Sequence, residues 1–164
     1  MLTIQTGKAN EILRHVAKKI DPKDYNKVLK LGKEMLKYIK DPEHGGVGLA
    51  APQVGHSIRM VVVSLLRDRE DENFKTVIMI NPEILEHSQE TYKESEGCLS
   101  VPGEEGEVER YTKIKLKYVD DKKREKIIML ENTSARIIQH EIDHLDGILF
   151  TDYVDGKKIR DTFM

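Results

Sequence analysis

The segment ARIIQHEIDHLDGILF, residues 135–150, sets apolar residues on both sides of a short polar core. At about 100° per residue, Ala135, Ile138, Ile142 and Leu145 form one helical stripe, while His140, Glu141 and His144 fall opposite it together with Ile137. Such a helix packs one stripe against a sheet and offers two imidazoles, one turn apart, on its other side. Asn132 or Thr133 can cap it, and Gly147 marks its end.

Upstream of this helix the pattern is of the β type. IRMVVVSLL (58–66), FKTVIMI (74–80), a stretch near SQETYKES (88–95), TKIKLKYV (112–119) and REKIIML (124–130) are separated by short polar turns. In TKIKLKYV the residues Ile114, Leu116 and Tyr118 alternate with lysines, the mark of a strand with one wet face, and a mostly antiparallel sheet follows. Further upstream, Ile12, Leu13, Val16, Ala17 and Ile20 recur at helical spacing. Asp21 and Pro22 then open a second helix that carries Val28, Leu29, Met35, Leu36 and Ile39 inward and stops before Pro42. The expected fold is α+β, with mostly antiparallel sheets packed around a central metal-binding helix and two N-terminal helices.

The 164 residues fit one domain, 1–164. Twenty-seven basic and 29 acidic residues nearly cancel to −2, which provides no electrostatic footprint for nucleic acid or a membrane surface. No apolar run approaches the roughly 18 residues of a membrane helix, and no basic-then-apolar leader opens the chain, so a cytoplasmic location is expected. A single cysteine, Cys98, excludes an internal disulfide.

His140-Glu141-x-x-His144 is a metallohydrolase helix pattern: both imidazoles reach one ion and Glu141 lies beside it. The alternative is a charged helix surface, weakened by the flanking apolar residues, because two buried histidines and a buried glutamate need partners. In most peptidases of this pattern the third ligand is a downstream Glu or His. Residues 145–164 contain neither. Asp146, Asp152, Asp155 and Asp161 are there, but turns and surface explain them more simply. Cys98, in ESEGCLSVPG, is the upstream candidate. A lone cysteine is more often a small buried hydrophobe, yet a thiolate and two imidazoles leave a fourth position open for water, as catalytic sites do.

Three segments, GVGLAAPQVG (46–55), EGCLS (96–100) and QHEIDHLDG (139–147), together resemble the peptide deformylase family in content and order, and the opening GKANEILRHVAKKI is similar to the family's start. GVGLAA also fits a dinucleotide fingerprint, but a helical pattern precedes it and Pro52 falls where the following helix needs a backbone donor. The resemblance implies that Cys98, His140 and His144 bind one divalent metal ion, Fe²⁺ favoured for activity and Zn²⁺ as a substitute. Glu141 becomes the acid/base group, and Gln53 with the Leu99 backbone N–H the oxyanion hole. Gly48 meets the substrate backbone, and Val47 and Ile137 line a pocket for methionine. Glu96 and Arg110 form a bracing ion pair. The implied substrates are nascent N-formylmethionyl peptides, met with transient ribosome contact. The acidic GEEGEVE stretch and a tail without a long C-terminal helix are departures from the common pattern. Two rivals remain at this point: a zinc endopeptidase, and a metal-stapled binding module with four protein ligands.

Overall fold

Five consecutive buried residues, Met60–Ser64, form β2, a strand covered on both faces. Its alternate side chains go to opposite cores, as the two-residue period of a strand requires. Met60 and Val62 join Leu29, Met35 and Ile39 of helix α2 (Tyr25–Lys40). Val61 and Val63 join Ala135, Ile138, Ile142 and Leu145 of helix α3 (Asn132–Leu145). Helices thus lie on both sides of β2, which is why its sequence is apolar throughout. The computed structural model that shows this describes residues 2–154.

Around β2 the sheet runs in the order β1-β2-β3-β6-β7, with every pairing antiparallel. Its other members are β1 (Gly48–Ala50), β3 (Thr76–His87), β6 (Lys113–Val119) and β7 (Glu125–Glu131). A separate antiparallel pair joins β4 (Thr91–Glu96) to β5 (Gly106–Tyr111). β3 tolerates Pro82 because the pairing with β6 shifts register between Ile80 and Glu83. There Asn81 takes φ 51° and its side chain bonds both the N–H and the carbonyl of Ile20 at 2.8 Å.

The N-terminal stretch differs from its periodicity. Only one turn of helix forms, α1 (Glu11–Arg14), capped by the Asn10 side chain. Beyond it the backbone is extended, because its hydrogen-bonding groups are used elsewhere: the Ala17 N–H donates to Leu145, and Lys18 bonds Ser57 and Arg59. Leu13, Ala17 and Ile20 are buried as expected, but Val16 is 69% exposed. Asp21 caps a single 3₁₀ turn, Pro22–Asp24, which leads into α2.

At the start of α3 neither expected cap acts through its side chain. Asn132 adopts φ 55° and its N–H donates to Thr112, so a β7-to-helix turn replaces the cap. Gly147 does end the helix, at φ 74°. It also has no room for a side chain, since a Cβ there would fall on the carbonyl of Arg14. A short α4 (Thr151–Val154) follows, held to α1 by Arg14 and Asp152 at 2.7 Å. The expectation about the tail, with Asp155 and Asp161, lies outside the described residues.

Candidate metal and active site

Two turns of α3 and one loop make the site. The helix presents His140 and His144, whose rings sit 5.0 Å apart at 70°. Cys98 comes from the loop after β4, its sulfur 3.3 Å from His144 Nε2. The ligand atoms of Cys98, His140 and His144 all lie within 4.8 Å of one another, and among the described residues no fourth Cys, His, Asp or Glu joins them. Asp146 and Asp152, the nearby downstream aspartates, are engaged by Arg59 and Arg14 instead.

The loop is rigidly placed. The Ser100 N–H points at the Cys98 sulfur at 3.4 Å, and the Val101 N–H closes the turn onto the Cys98 carbonyl. The N-terminal segment clamps it from outside: Gly7 donates to Ser100 and Gln5 donates to Gln53. Gln53, only 2% exposed, accepts from the Ala50 N–H through Oε1, which aims its NH₂ at Ser100 Oγ (3.1 Å) and the Cys98 sulfur (3.6 Å). The Leu99 N–H makes no hydrogen bond among the described residues.

Behind the ligands stands a buried ionic network. Glu96 accepts from His140 Nδ1 at 2.8 Å, which leaves Nε2 of that ring to face Cys98 and His144. Arg110 grips the same carboxylate twice, at 2.9 and 2.8 Å, Arg136 reaches it at 2.6 Å, and Arg110 also meets Asp143 at 2.5 Å. Burial alone would raise the Glu96 pKa, but the charge and hydrogen bonds of Arg110 and its contact with His140 hold it well below the usual carboxylate range. The expected Glu96–Arg110 ion pair is therefore present, within a larger network. Arg136, His140 and Asp143 fall on one helical stripe at i, i+4 and i+7, a signal readable from the sequence had polar residues been counted as inward-facing.

Glu141 is 4% exposed, and its Oε1 has no hydrogen-bond partner. Burial pushes its pKa up to about 7, against the pull of the neighbouring His140. An unpartnered buried carboxylate oxygen beside a thiol and two imidazoles fits a site built around a cation and a water. Gly48 packs directly on this carboxylate: a Cβ there would sit 2.6 Å from Oε2 and 3.0 Å from Cγ and Cδ. Val47, Gly48, Gln53, Leu99, Ile137 and Glu141 all line one cleft of about 280 Å³ that reaches Cys98 and His140.

An α+β scaffold with a His-Glu-x-x-His helix and a cysteine-bearing loop brings together a Cys-His-His group that could hold a metal ion, the kind of donor set that metallohydrolases use. The chain belongs to the polypeptide deformylase family, whose model matches residues 1–160. A peptide deformylase of Brachyspira hyodysenteriae is 42% identical over 153 residues, 92% of this chain and 80% of that one. One from Chlorobaculum parvum is 47% identical over 120 residues, 71% of this chain. The matched stretch spans less than two thirds of the two Chlorobaculum relatives, 64% and 61% of their lengths. Solved structures match over more of their lengths. The class I type b peptide deformylase of Acinetobacter baumannii with Met-Ala-Ser bound superposes with a TM-score of 0.82 at 36% identity, covering 93% of this chain and 97% of that one. The Thermotoga maritima enzyme does so at 0.80 and 38%, covering 93% and 96%.

Proposed function

We propose that residues 1–164 form a single catalytic domain that hydrolyses the formyl group from the N-terminal formylmethionine of newly made polypeptides, releasing formate. The observation that carries this reading is the convergence of Cys98, His140 and His144 within 4.8 Å beside the buried, unpartnered carboxylate of Glu141. Cys98, His140 and His144 hold the ion, and Glu96 fixes the tautomer of His140. A divalent cation in that grip supplies Lewis acidity and lowers the pKa of water from ~15.7 to about 7. Thiolate and imidazole donors suit either iron or zinc; the family resemblance favours Fe²⁺ for activity, with Zn²⁺ as the substitute.

Glu141 takes the proton of the attacking water and returns it to the leaving amine, a role suited to a carboxyl whose pKa sits near neutrality. Gln53 Nε2 and the Leu99 N–H meet the charge that develops on the formyl oxygen. Gln53 is held in place by the Ala50 N–H, which spares its reorganisation during the reaction. Gly48 offers its backbone to the peptide, and Val47 and Ile137 form walls of the methionine pocket. The tripeptide bound by the Acinetobacter relative begins with methionine, in keeping with this pocket. Among the described residues no helix is long and apolar enough to cross a membrane, in keeping with a cytoplasmic enzyme that meets nascent chains, transiently, at the ribosome.

Anaerobic assay of formate release from an N-formylmethionyl peptide tests the reading. Activity is expected with Fe²⁺ and, more weakly, with Zn²⁺. Turnover that survives complete chelation overturns it. In the same assay Gln53→Ala lowers kcat by about 10²–10³, the usual cost of one oxyanion donor, while metal content stays unchanged. Parallel loss of ion and rate would assign Gln53 to ligand support instead.

Gly48→Ala is expected to reduce kcat/KM by about 10², because the added methyl group displaces the Glu141 carboxylate by a large fraction of an ångström. The melting temperature should change little. A fall in melting temperature with unchanged kcat/KM would show that the backbone moves and the carboxylate stays.

A further inference from the structure

β7 has the sequence of an interior strand and the position of an edge strand. Its inward residues, Ile128 and Leu130, pack on the core. Its outward residues, Ile127 and Met129, are 53% and 66% exposed, two of the few large apolar side chains left in solvent. β2, apolar on both faces, is covered on both, whereas no described residue covers the outer face of β7.

The backbone at this edge is equally open. Hydrogen bonds flanking the β6–β7 ladder join Asn132 to Thr112 and Asp120 to Arg124, so even-numbered residues of β7 bond toward β6. The N–H and C=O groups of Glu125, Ile127, Met129 and Glu131 therefore point outward, and none has a hydrogen-bond partner among the described residues. Edge strands are normally blunted by charge, proline or a bulge. In β7 the charges are confined to the glutamates at its two ends and to Lys126 beside the first of them, which reaches Asp120 at 3.6 Å, and Ile-Ile-Met-Leu runs unbroken from 127 to 130.

We propose that β7 pairs with β7 of a second copy of this chain, antiparallel about a two-fold axis at Ile128, giving one continuous ten-stranded sheet. This register matches the outward backbone groups to one another. Ile127 then lies opposite the second copy's Met129, twice by symmetry, which closes an apolar patch of four side chains. Lys117 and Lys115, cross-strand neighbours of Ile127 and Met129, flank the patch with their aliphatic stems. The two end glutamates face each other across the dyad, but each brings its own cation: Lys117 lies 3.2 Å from Glu125 and Lys113 lies 3.7 Å from Glu131. The rim of the interface is thus charge-balanced. Among the described residues no other strand edge in the main sheet combines open backbone with exposed side chains of this size, since β1, at the opposite edge, is only three residues long and lines the catalytic cleft.

Sedimentation velocity over a concentration series tests the pairing. The chain is expected to sediment at twice its 18.9 kDa mass at high concentration. Ile127→Lys weakens the dimer by more than about tenfold, since each dimer loses two buried isoleucines, while circular dichroism shows an unchanged fold. The double variant Ile127→Lys/Met129→Glu sets lysine against glutamate in this register and restores the dimer. That restored dimer dissociates as salt rises from about 0.05 M to about 0.5 M. A monomer at every concentration, a dimer indifferent to Ile127→Lys, or a double variant that stays monomeric would each overturn the proposal.

Discussion

Replacing Glu96 with alanine lowers the free energy of unfolding by about 3–5 kcal/mol, the cost of leaving buried charges without their partner. Glu96 is the hub on which Arg110, Arg136 and His140 converge, and neither guanidinium has solvent to turn to: their side chains are 1% and 4% exposed. Arg110 keeps Asp143, and Arg136 keeps the carbonyls of Val108 and Tyr92 with Glu94 at 3.4 Å. Two cations would then share fewer anions in a dry setting. Glu96→Gln should be nearly as damaging, because its NH₂ would point a donor at donors. The pH dependence separates lost charge from lost packing. The Glu96 pKa is lower in the folded chain than the ordinary 4.5, so its contribution is fully present above that pH and fades as pH falls through and below it. The gap in denaturant midpoint between the natural chain and Glu96→Gln should therefore narrow on acidification from 4.5 downward. A gap that stays constant from neutrality to acid would mean that Glu96 acts through shape alone.

Much of this architecture is legible in the chain where hydrophobic periodicity and burial coincide. β2, β6, α2 and the stripe Ala135, Ile138, Ile142, Leu145 follow directly, as does the stop at Gly147. β1 and β5 do not, for different reasons. β1 is three residues in a glycine-rich run, too short to show alternation. β5 inverts the usual code: in GEVERY the buried residues are Val108, Arg110 and Tyr111, so one of the three side chains it buries is a guanidinium. The acidic look of residues 104–109 is the outer face of this strand together with the turn before it. The helical period over 12–20 failed because tertiary backbone bonds to Leu145, Ser57 and Arg59 outweigh a weak local preference. In the site, the spacing of His140 and His144 and the isolation of Cys98 were readable. The convergence of Gln5, Gly7, Gln53 and Ser100 was not, because the bonds that bring the N-terminal segment to Gln53 and to Ser100, up to nearly a hundred residues away, run between main-chain groups that carry no side-chain signature.

Glu141→Gln and Cys98→Ala should abolish turnover in opposite ways, and the contrast separates holding an ion from using it. Glutamine at 141 keeps the volume that packs on Gly48 but cannot accept a proton, so kcat falls by about 10²–10⁴, the range for a positioned acid/base group. The ion should remain at one per chain, since Glu141 is not among the three converging ligand atoms. Thermal stability should rise slightly, because a buried carboxylate oxygen with no partner is replaced by a neutral amide. Cys98→Ala removes one of the three proposed ligands and should lose the ion itself, since only the two imidazoles of His140 and His144 would remain. Added Zn²⁺ in excess would then restore little activity, whereas excess metal cannot help Glu141→Gln at all because its site is already filled. Metal analysis beside kcat for both variants gives the test: a Glu141→Gln enzyme that loses its ion would make that carboxylate a ligand, and a Cys98→Ala enzyme that keeps both ion and rate would remove the thiolate from the mechanism.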